Sequence, residues 1–245
     1  MAYDYAITRE AADPYCLRDG EATALLTGHP WERFVVLGDS VAEGIGDRVD
    51  GYDALPFADR VAAELARTHP GLCYLNLGHR NLRTAQVATK QLGPALAFRP
   101  DLAMIVCGAN DALRPGYEGR AESVDRELAG MVGALRAAGA DVVTVSLFVM
   151  ANYPGVPMWL RSAFARRMRL LAGRTGDLAA SLGTIHLDLS SHPAGTDPAI
   201  QSGDGLHGNG RSQAIAAAEA VRRLGTHLGN GFPARPAARE FRPRA

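Results

Sequence analysis

Ser40 and His207 stand in the two stretches of this chain best fitted to carry out chemistry. Ser40 closes Gly38-Asp39-Ser40, directly after the apolar run Phe34-Val35-Val36-Leu37. Hydrophobes without alternation, ended by a glycine, suit a strand buried on both faces of a parallel sheet. Ligand sites of such sheets lie just beyond the carboxyl ends of the strands, where Ser40 would be a nucleophile. Gly, Asp and Ser are also common turn formers, so the stretch alone admits an ordinary turn equally well. His207 ends Asp204-Gly205-Leu206-His207. Across a tight turn the Asp204 carboxylate can accept the Nδ1 proton of the imidazole, which leaves Nε2 as a general base. A surface Asp–His pair, or an N-cap cluster ahead of the last helix, is the other reading.

Two other chemistries fit these letters poorly. Gly203-Asp204-Gly205-Leu206-His207-Gly208 matches a dinucleotide fingerprint, but no strand immediately precedes it and none follows its helix to complete the unit. A metal site would need more ligands than one His and one Asp, and no HExxH is present. No metal and no organic cofactor is expected.

The elements that must position these residues alternate along the chain. Buried strands are expected over 34–37, 72–77, 102–107, 141–148 and 184–189. Helices are expected near 20–26, over 55–68, 84–98, 121–138, 158–182 and 212–224, with Gly93-Pro94 forecasting a kink or break in the 84–98 helix. Arg161, Arg166, Arg167 and Arg169 read as a solvated face of the 158–182 helix. Five alternations of strand and helix argue for a doubly wound α/β fold, a parallel sheet with helices on both faces. In the order 2-1-3-4-5 the first strand lies between the second and third. The turns carrying Gly78 and Asn110 then flank Ser40. Asn110 could offer its side-chain amide, and Gly78 its backbone N–H, to a developing oxyanion; such donors are worth about 3–4 kcal/mol each. Each is also an ordinary turn residue taken singly.

Composition bounds the rest. The chain has 245 residues, 47% of them hydrophobic, enough for one substantial core. Residues 31–228 read as one domain, 1–30 as an N-terminal arm and 229–245 as a Pro- and Arg-rich flexible tail. Lys plus Arg and Asp plus Glu number 26 each, so neither a nucleic-acid partner nor an acidic solvating tail is indicated. No signal-peptide pattern and no membrane-length apolar run occurs, and the expectation is a soluble, cytoplasmic protein without a membrane partner. The three cysteines form no CxxC pair; Cys73 and Cys107 read as small core residues, and Cys16 lies in the arm. Oligomeric state is not legible.

Taken together, a serine after the first strand, a glycine after the second, an asparagine after the third and Asp-x-x-His before the last helix form an ordered set on one sheet edge. This set resembles the SGNH or GDSL-type hydrolases. The resemblance rests on Gly38-Asp39-Ser40, Gly78, Gly108-x-Asn110-Asp111 and Asp204-x-x-His207, and runs from about residue 33 to 225. It implies a three-layer α/β/α fold and hydrolysis of esters or related acyl bonds. It further implies Ser40 as nucleophile and N–H donor, Gly78 and Asn110 as the other oxyanion donors, His207 as base and Asp204 as its orienting carboxylate. Many relatives have a serine and a glycine soon after the second-block glycine, whereas this chain has Arg80 and Asn81. The G-x-S-x-G elbow is absent, since Ala42 lies two residues after Ser40.

The substrate is read more coarsely, as a small-molecule acyl ester. Phe148, Met150, Tyr153, Met158 and Trp159 could form an apolar wall or lid beside the site, or belong to the core of the following helix. His79 and Arg80 could meet a polar group of the substrate or face solvent, so His79, Arg80, Tyr153 and Trp159 are the pocket candidates. An acyltransferase or thioesterase with the same triad is the nearer alternative, and a non-catalytic binding module on the same fold the more distant one.

Overall fold

The structure is a computed structural model and describes residues 8–233. A five-stranded, all-parallel sheet forms its centre: β1 (Arg33–Gly38), β2 (Cys73–Asn76), β3 (Leu102–Val106), β4 (Asp141–Ser146) and β5 (Ile185–Asp188), in the order β2-β1-β3-β4-β5. The helices are α1 (Thr8–Ala12), α2 (Glu21–Leu26), α3 (Ser40–Glu43), α4 (Phe57–Thr68), α5 (Thr84–Ala97), α6 (Ala109–Ala112), α7 (Ala121–Ala137), α8 (Met158–Leu182) and α9 (Gly210–His227). This is the three-layer α/β/α arrangement expected from the sequence.

Strand side chains alternate between two cores, which explains why unalternating hydrophobes are needed. Phe34 and Val36 of β1, with Met104 of β3, pack among α2, α4 and α9 side chains such as Leu26, Leu65 and Val221. Val35 and Leu37, with Ile105, face the opposite layer and meet Val87 of α5 and Met131 and Leu135 of α7. Burial of each such side chain stabilises the fold by about 1.5–3 kcal/mol. Central strands β1, β3 and β4 are buried along nearly their whole length. The edge strand β2 is not: its residues are partly or fully exposed, so Cys73 is a surface residue and not a core one, and Cys107 is only half-buried.

Helix α5 runs unbroken through Pro94. The proline lies close to the C-terminal end, and the next turn still closes through Phe98 N–H donating to Pro94 O at 3.0 Å. The basic residues of α8 are also more engaged than a solvated face would be. Arg167 is buried and pairs with Glu118 at 3.1 Å, while Arg161 donates to Val156 O and Pro154 O.

The arm is tied to the last helix. Glu21, itself buried, accepts from Arg222 of α9 at 2.7 Å, and Asn230 donates to Leu25 O and Thr27 O. Arg211 at the start of α9 is clasped by Asp13 at 2.6 Å and by Asp197. The remainder of the tail, 234–245, and residues 1–7 of the arm lie outside the described residues. Among the described residues no helix is long and apolar enough to cross a membrane.

Candidate active site

Ser40 is presented by a short turn of helix that the sequence did not announce. β1 ends at Gly38, whose N–H donates to Gln91 Oε1 at 2.7 Å and whose carbonyl accepts from Gln91 Nε2 at 2.9 Å. Gln91 projects from α5 and is buried, so one amide clamps both polar groups of the last strand residue. Asp39 then caps α3, its Oδ1 accepting the Val41 N–H at 3.1 Å, and Ser40 is the first helical residue. The Ser40 backbone N–H has no hydrogen-bond partner among the described residues. Asp39 is fully buried, and burial pushes its carboxyl up to about 7.

His207 arrives from the opposite side on a loop. Asp204 Oδ1 accepts the N–H groups of Leu206 at 2.9 Å and His207 at 2.9 Å, an Asx-type turn that brings the two side chains together. The His207 Nδ1 lies 2.6 Å from Asp204 Oδ2, and its Nε2 lies 2.8 Å from Ser40 Oγ. One hydrogen-bonded line therefore runs from Asp204 through His207 to Ser40. Burial pushes the Asp204 carboxyl up, but hydrogen bonds from the His207 ring, the His207 N–H and the Leu206 N–H outweigh it and hold the pKa below the usual carboxylate range.

Neighbouring loops fix this one. Asp47 accepts the Gly203 N–H at 2.6 Å through Oδ2 and the Gly210 N–H at 2.8 Å through its carbonyl. Gly155 lies so close that a Cβ there would stand 2.1 Å from Asp204 O. Asn209 caps α9 two residues after the histidine, accepting from Arg211 N–H at 3.0 Å.

The oxyanion candidates flank the serine as the strand order requires. The Gly78 peptide packs on α3, where a Cβ would meet Glu43 N at 2.3 Å, so only glycine fits. Its N–H donates to Asn76 Oδ1 at 2.8 Å, and Asn76 Nδ2 in turn donates to Ala42 O at 2.7 Å. Asn110 donates its amide to Leu82 O at 3.0 Å and faces Asp39 Oδ2 at 3.4 Å. Asp111 caps α5, accepting from Thr84 N–H at 2.8 Å and Thr84 Oγ1 at 2.9 Å. Gln91 and Asn76 are the positioning residues that sequence reasoning missed. Each sits in an ordinary helix or strand pattern, and only the pairing of β1 with β2 and α5 brings it to the site.

A cavity of about 90 Å³ opens beside Ser40, Asn110 and His207, with walls from α6, the β4–α8 loop, α8 and α9. Of the four pocket candidates Tyr153 lines it. His79 and Arg80 are exposed outside it, Arg80 pairing with Glu43 at 2.7 Å. Trp159 and Met158 are 77% and 82% exposed at the start of α8, while Phe148 and Met150 line the cavity.

An exposed acid, an imidazole and a hydroxyl in one hydrogen-bonded line, beside an apolar cavity, can transfer an acyl group through the hydroxyl. Comparison with known proteins bears on the fold and the family. Among solved structures the chain is similar in fold to LAE5, an alpha/beta hydrolase enzyme from the metagenome of Lake Arreo, Spain. The TM-score is 0.64 at 17% identity, over 82% of this chain and 98% of that one. It is similar also to Axe2, an acetylxylan esterase from Geobacillus stearothermophilus, with a TM-score of 0.62 at 17% identity over 82% of this chain and 96% of that one. No curated protein matches the chain in sequence. The model of the GDSL-like lipase/acylhydrolase family matches residues 36–215, which take in the end of β1, the other four strands and both ends of the Ser40–His207 line. The chain therefore belongs to the GDSL-like lipase/acylhydrolase family and is a carboxylic ester hydrolase.

Proposed function

We propose that the protein cleaves a small-molecule acyl ester in two steps, with Ser40 as nucleophile, His207 as general base and acid, and Asp204 orienting His207. The observation that carries this reading is the line of contacts Asp204 Oδ2–His207 Nδ1 at 2.6 Å and His207 Nε2–Ser40 Oγ at 2.8 Å. Asp204 fixes the tautomer with the proton on Nδ1, so Nε2 accepts the Ser40 proton as Oγ attacks the carbonyl carbon. His207 then gives that proton to the leaving alcohol. Water enters, is deprotonated by His207 and cleaves the acyl-enzyme, and the proton returns to Ser40.

The oxyanion of each tetrahedral intermediate meets the Ser40 N–H, the Asn110 amide and the Gly78 N–H. The Ser40 donor is free in the resting protein, whereas Gly78 and Asn110 start with local partners. A charged acceptor forms hydrogen bonds roughly twice as strong as a neutral one, so the oxyanion competes successfully with a neutral amide oxygen. Ser40 is accordingly the readiest donor, and Asn110 and Gly78 must first leave their local partners.

Hydrolysis of p-nitrophenyl butyrate by wild type and Ser40→Ala tests the reading. Wild type turns over, and the variant loses about 10⁴- to 10⁶-fold in kcat. Equal turnover by the two proteins would refute it.

A further inference from the structure

We propose that the N-terminal arm is part of the active site: Asp13 is a positioning residue that acts through Arg211 to hold the His207 loop against Ser40. This rests on the reading of His207 as base and adds the element that sets its place.

His207 sits beside the tip of a loop with two limbs, residues 197–202 and 207–211. Gln201 and Gly208 form an antiparallel bridge, Ser202 N–H donates to His207 O at 2.9 Å, and Asn209 N–H donates to Ile200 O at 2.8 Å. The Asn209 side chain ties the limbs again, donating to Ala199 O at 2.9 Å and Gln201 O at 3.1 Å. Bound this closely, the limbs form one body. Arg211 stands at its foot. Its Nη1 donates to Asp197 of the first limb, and its Nε donates to Asp13 of the arm at 2.6 Å. One guanidinium thus closes the loop and moors it to the arm.

The mooring point is fixed on the arm side. The Asp13 side chain is 3% exposed, whereas that of Asp197 is 42% exposed. Asp13 Oδ2 also accepts the Tyr52 hydroxyl at 2.7 Å, and Oδ1 accepts the Tyr15 N–H at 3.0 Å. Burial pushes the Asp13 carboxyl up, but hydrogen bonds from Arg211, the Tyr15 N–H and Tyr52 outweigh it and hold the pKa below the usual carboxylate range. A desolvated, hydrogen-bonded charge pair has one good geometry, unlike a solvated pair whose partners drift. Tyr15 carries the same turn of the arm to the cavity wall: its ring meets His192 edge-on at 4.9 Å, and His192 meets Phe148 at 5.7 Å. Asp13 precedes residues 36–215, the stretch that matches the family model.

A second buried carboxylate of the arm supplies the control. Glu21 pairs with Arg222 of α9 at 2.7 Å. Arg222 lies about three turns beyond Arg211, roughly 16 Å along the helix and away from the His207 loop. Both pairs fasten the arm to α9, and Asp13 alone of the two carboxylates fastens it at the foot of the loop.

The test compares Asp13→Asn with Glu21→Gln in the full chain, using p-nitrophenyl butyrate. Exhaustive fluorophosphonate labelling counts the sites, so kcat is read per active site and loss of folded protein does not enter. Asp13→Asn lets Arg211 follow Asp197 outward. Displacement of the His207 ring by up to 1 Å lowers kcat about 10- to 100-fold, keeps KM within about twofold, and slows fluorophosphonate labelling as much as kcat. Glu21→Gln lowers the melting temperature and leaves kcat and KM unchanged. In an Arg211→Met background Asp13→Asn lowers kcat no further, because its effect passes through the guanidinium. Tyr52→Phe takes only a hydroxyl from Asp13 and replaces Asp13→Asn should that variant not fold; it lowers kcat about three- to fivefold. An unchanged kcat in Asp13→Asn, or in Tyr52→Phe where it stands in, overturns the positioning role alone. So does an equal fall in Glu21→Gln, or a full Asp13→Asn effect in the Arg211→Met background. Wild-type turnover that is absent, or that survives Ser40→Ala, overturns the catalytic reading and the positioning role with it.

Discussion

The two sides of the active site are built on opposite principles. Ser40 stands at the end of a central strand, above a fully buried carboxyl and a buried glutamine that grips the strand's last peptide. His207 stands on a loop whose orienting Asp204 has a side chain 46% exposed. That loop lies outside the central sheet and is closed by an isolated antiparallel bridge between Gln201 and Gly208, with Ser202 N–H donating to His207 O at 2.9 Å. It keeps its shape through the Asx-type turn, through Asp47 and through the close approach of Gly155. The sheet thus fixes Ser40, and surface loops bring His207 to it. A rigid strand end protects Ser40 from small surface changes, whereas His207 inherits every shift of its neighbours.

That contrast can be broken most severely at the acid. Asp204→Asn keeps the shape of the turn but favours the wrong imidazole tautomer, and kcat is expected to fall about 10⁴-fold while thermal stability changes little. Equal kcat in the two proteins would remove Asp204 from the line. A smaller effect is expected at Gly155→Ala, which touches neither substrate nor serine. Its Cβ must push Asp204 O away, and a misplacement near 1 Å costs about 10²-fold in kcat. A comparable methyl on the exposed face of α7, Gly133→Ala, has nothing within 4 Å of its Cβ and should leave kcat unchanged. If Gly155→Ala behaves the same way, the base loop is held by something other than its neighbours.

The smallest effect sharpens the nucleophile side. With its pKa raised to about 7 by burial, Asp39 keeps its proton in the folded state over the window from about 4 to 7, where the unfolded chain releases it. The unfolded state binds fewer protons there, so this residue makes stability fall as pH rises through the window and level off above it. In Asp39→Asn the drop in urea midpoint between pH 5 and pH 8 should shrink. An unchanged drop would show that Asp39 does not titrate in that range.

Much of this arrangement was legible in the sequence, for reasons that differ between residues. β1, β3 and β4 announce themselves because burial on both faces requires unbroken hydrophobes. β2 lies at the edge as the order 2-1-3-4-5 requires, but its apolar letters overstated its burial, and Cys73 is exposed. The four-residue helices α3 and α6 had no periodicity to read, being single turns set by Asp39 and Gly108 at their N-caps. Ser40, Asp204 and His207 stand out in the sequence because the proposed chemistry restricts their types, and the structure brings them into one hydrogen-bonded line. Gln91 and Asn76 were not, since a clamp on a strand end depends on which elements become neighbours, and no local pattern encodes that. Pocket candidates fared unevenly for the same reason, with Tyr153 turned into the cavity and Trp159 turned to solvent.

The central claim is that Ser40 Oγ is the activated nucleophile, and covalent labelling tests it most directly. A fluorophosphonate phosphonylates a hydroxyl that an adjacent imidazole deprotonates. Mass spectrometry of the labelled, digested protein should place a single adduct on Ser40, with none formed on Ser40→Ala. An adduct on another residue, or equal labelling of the two proteins, would contradict the account.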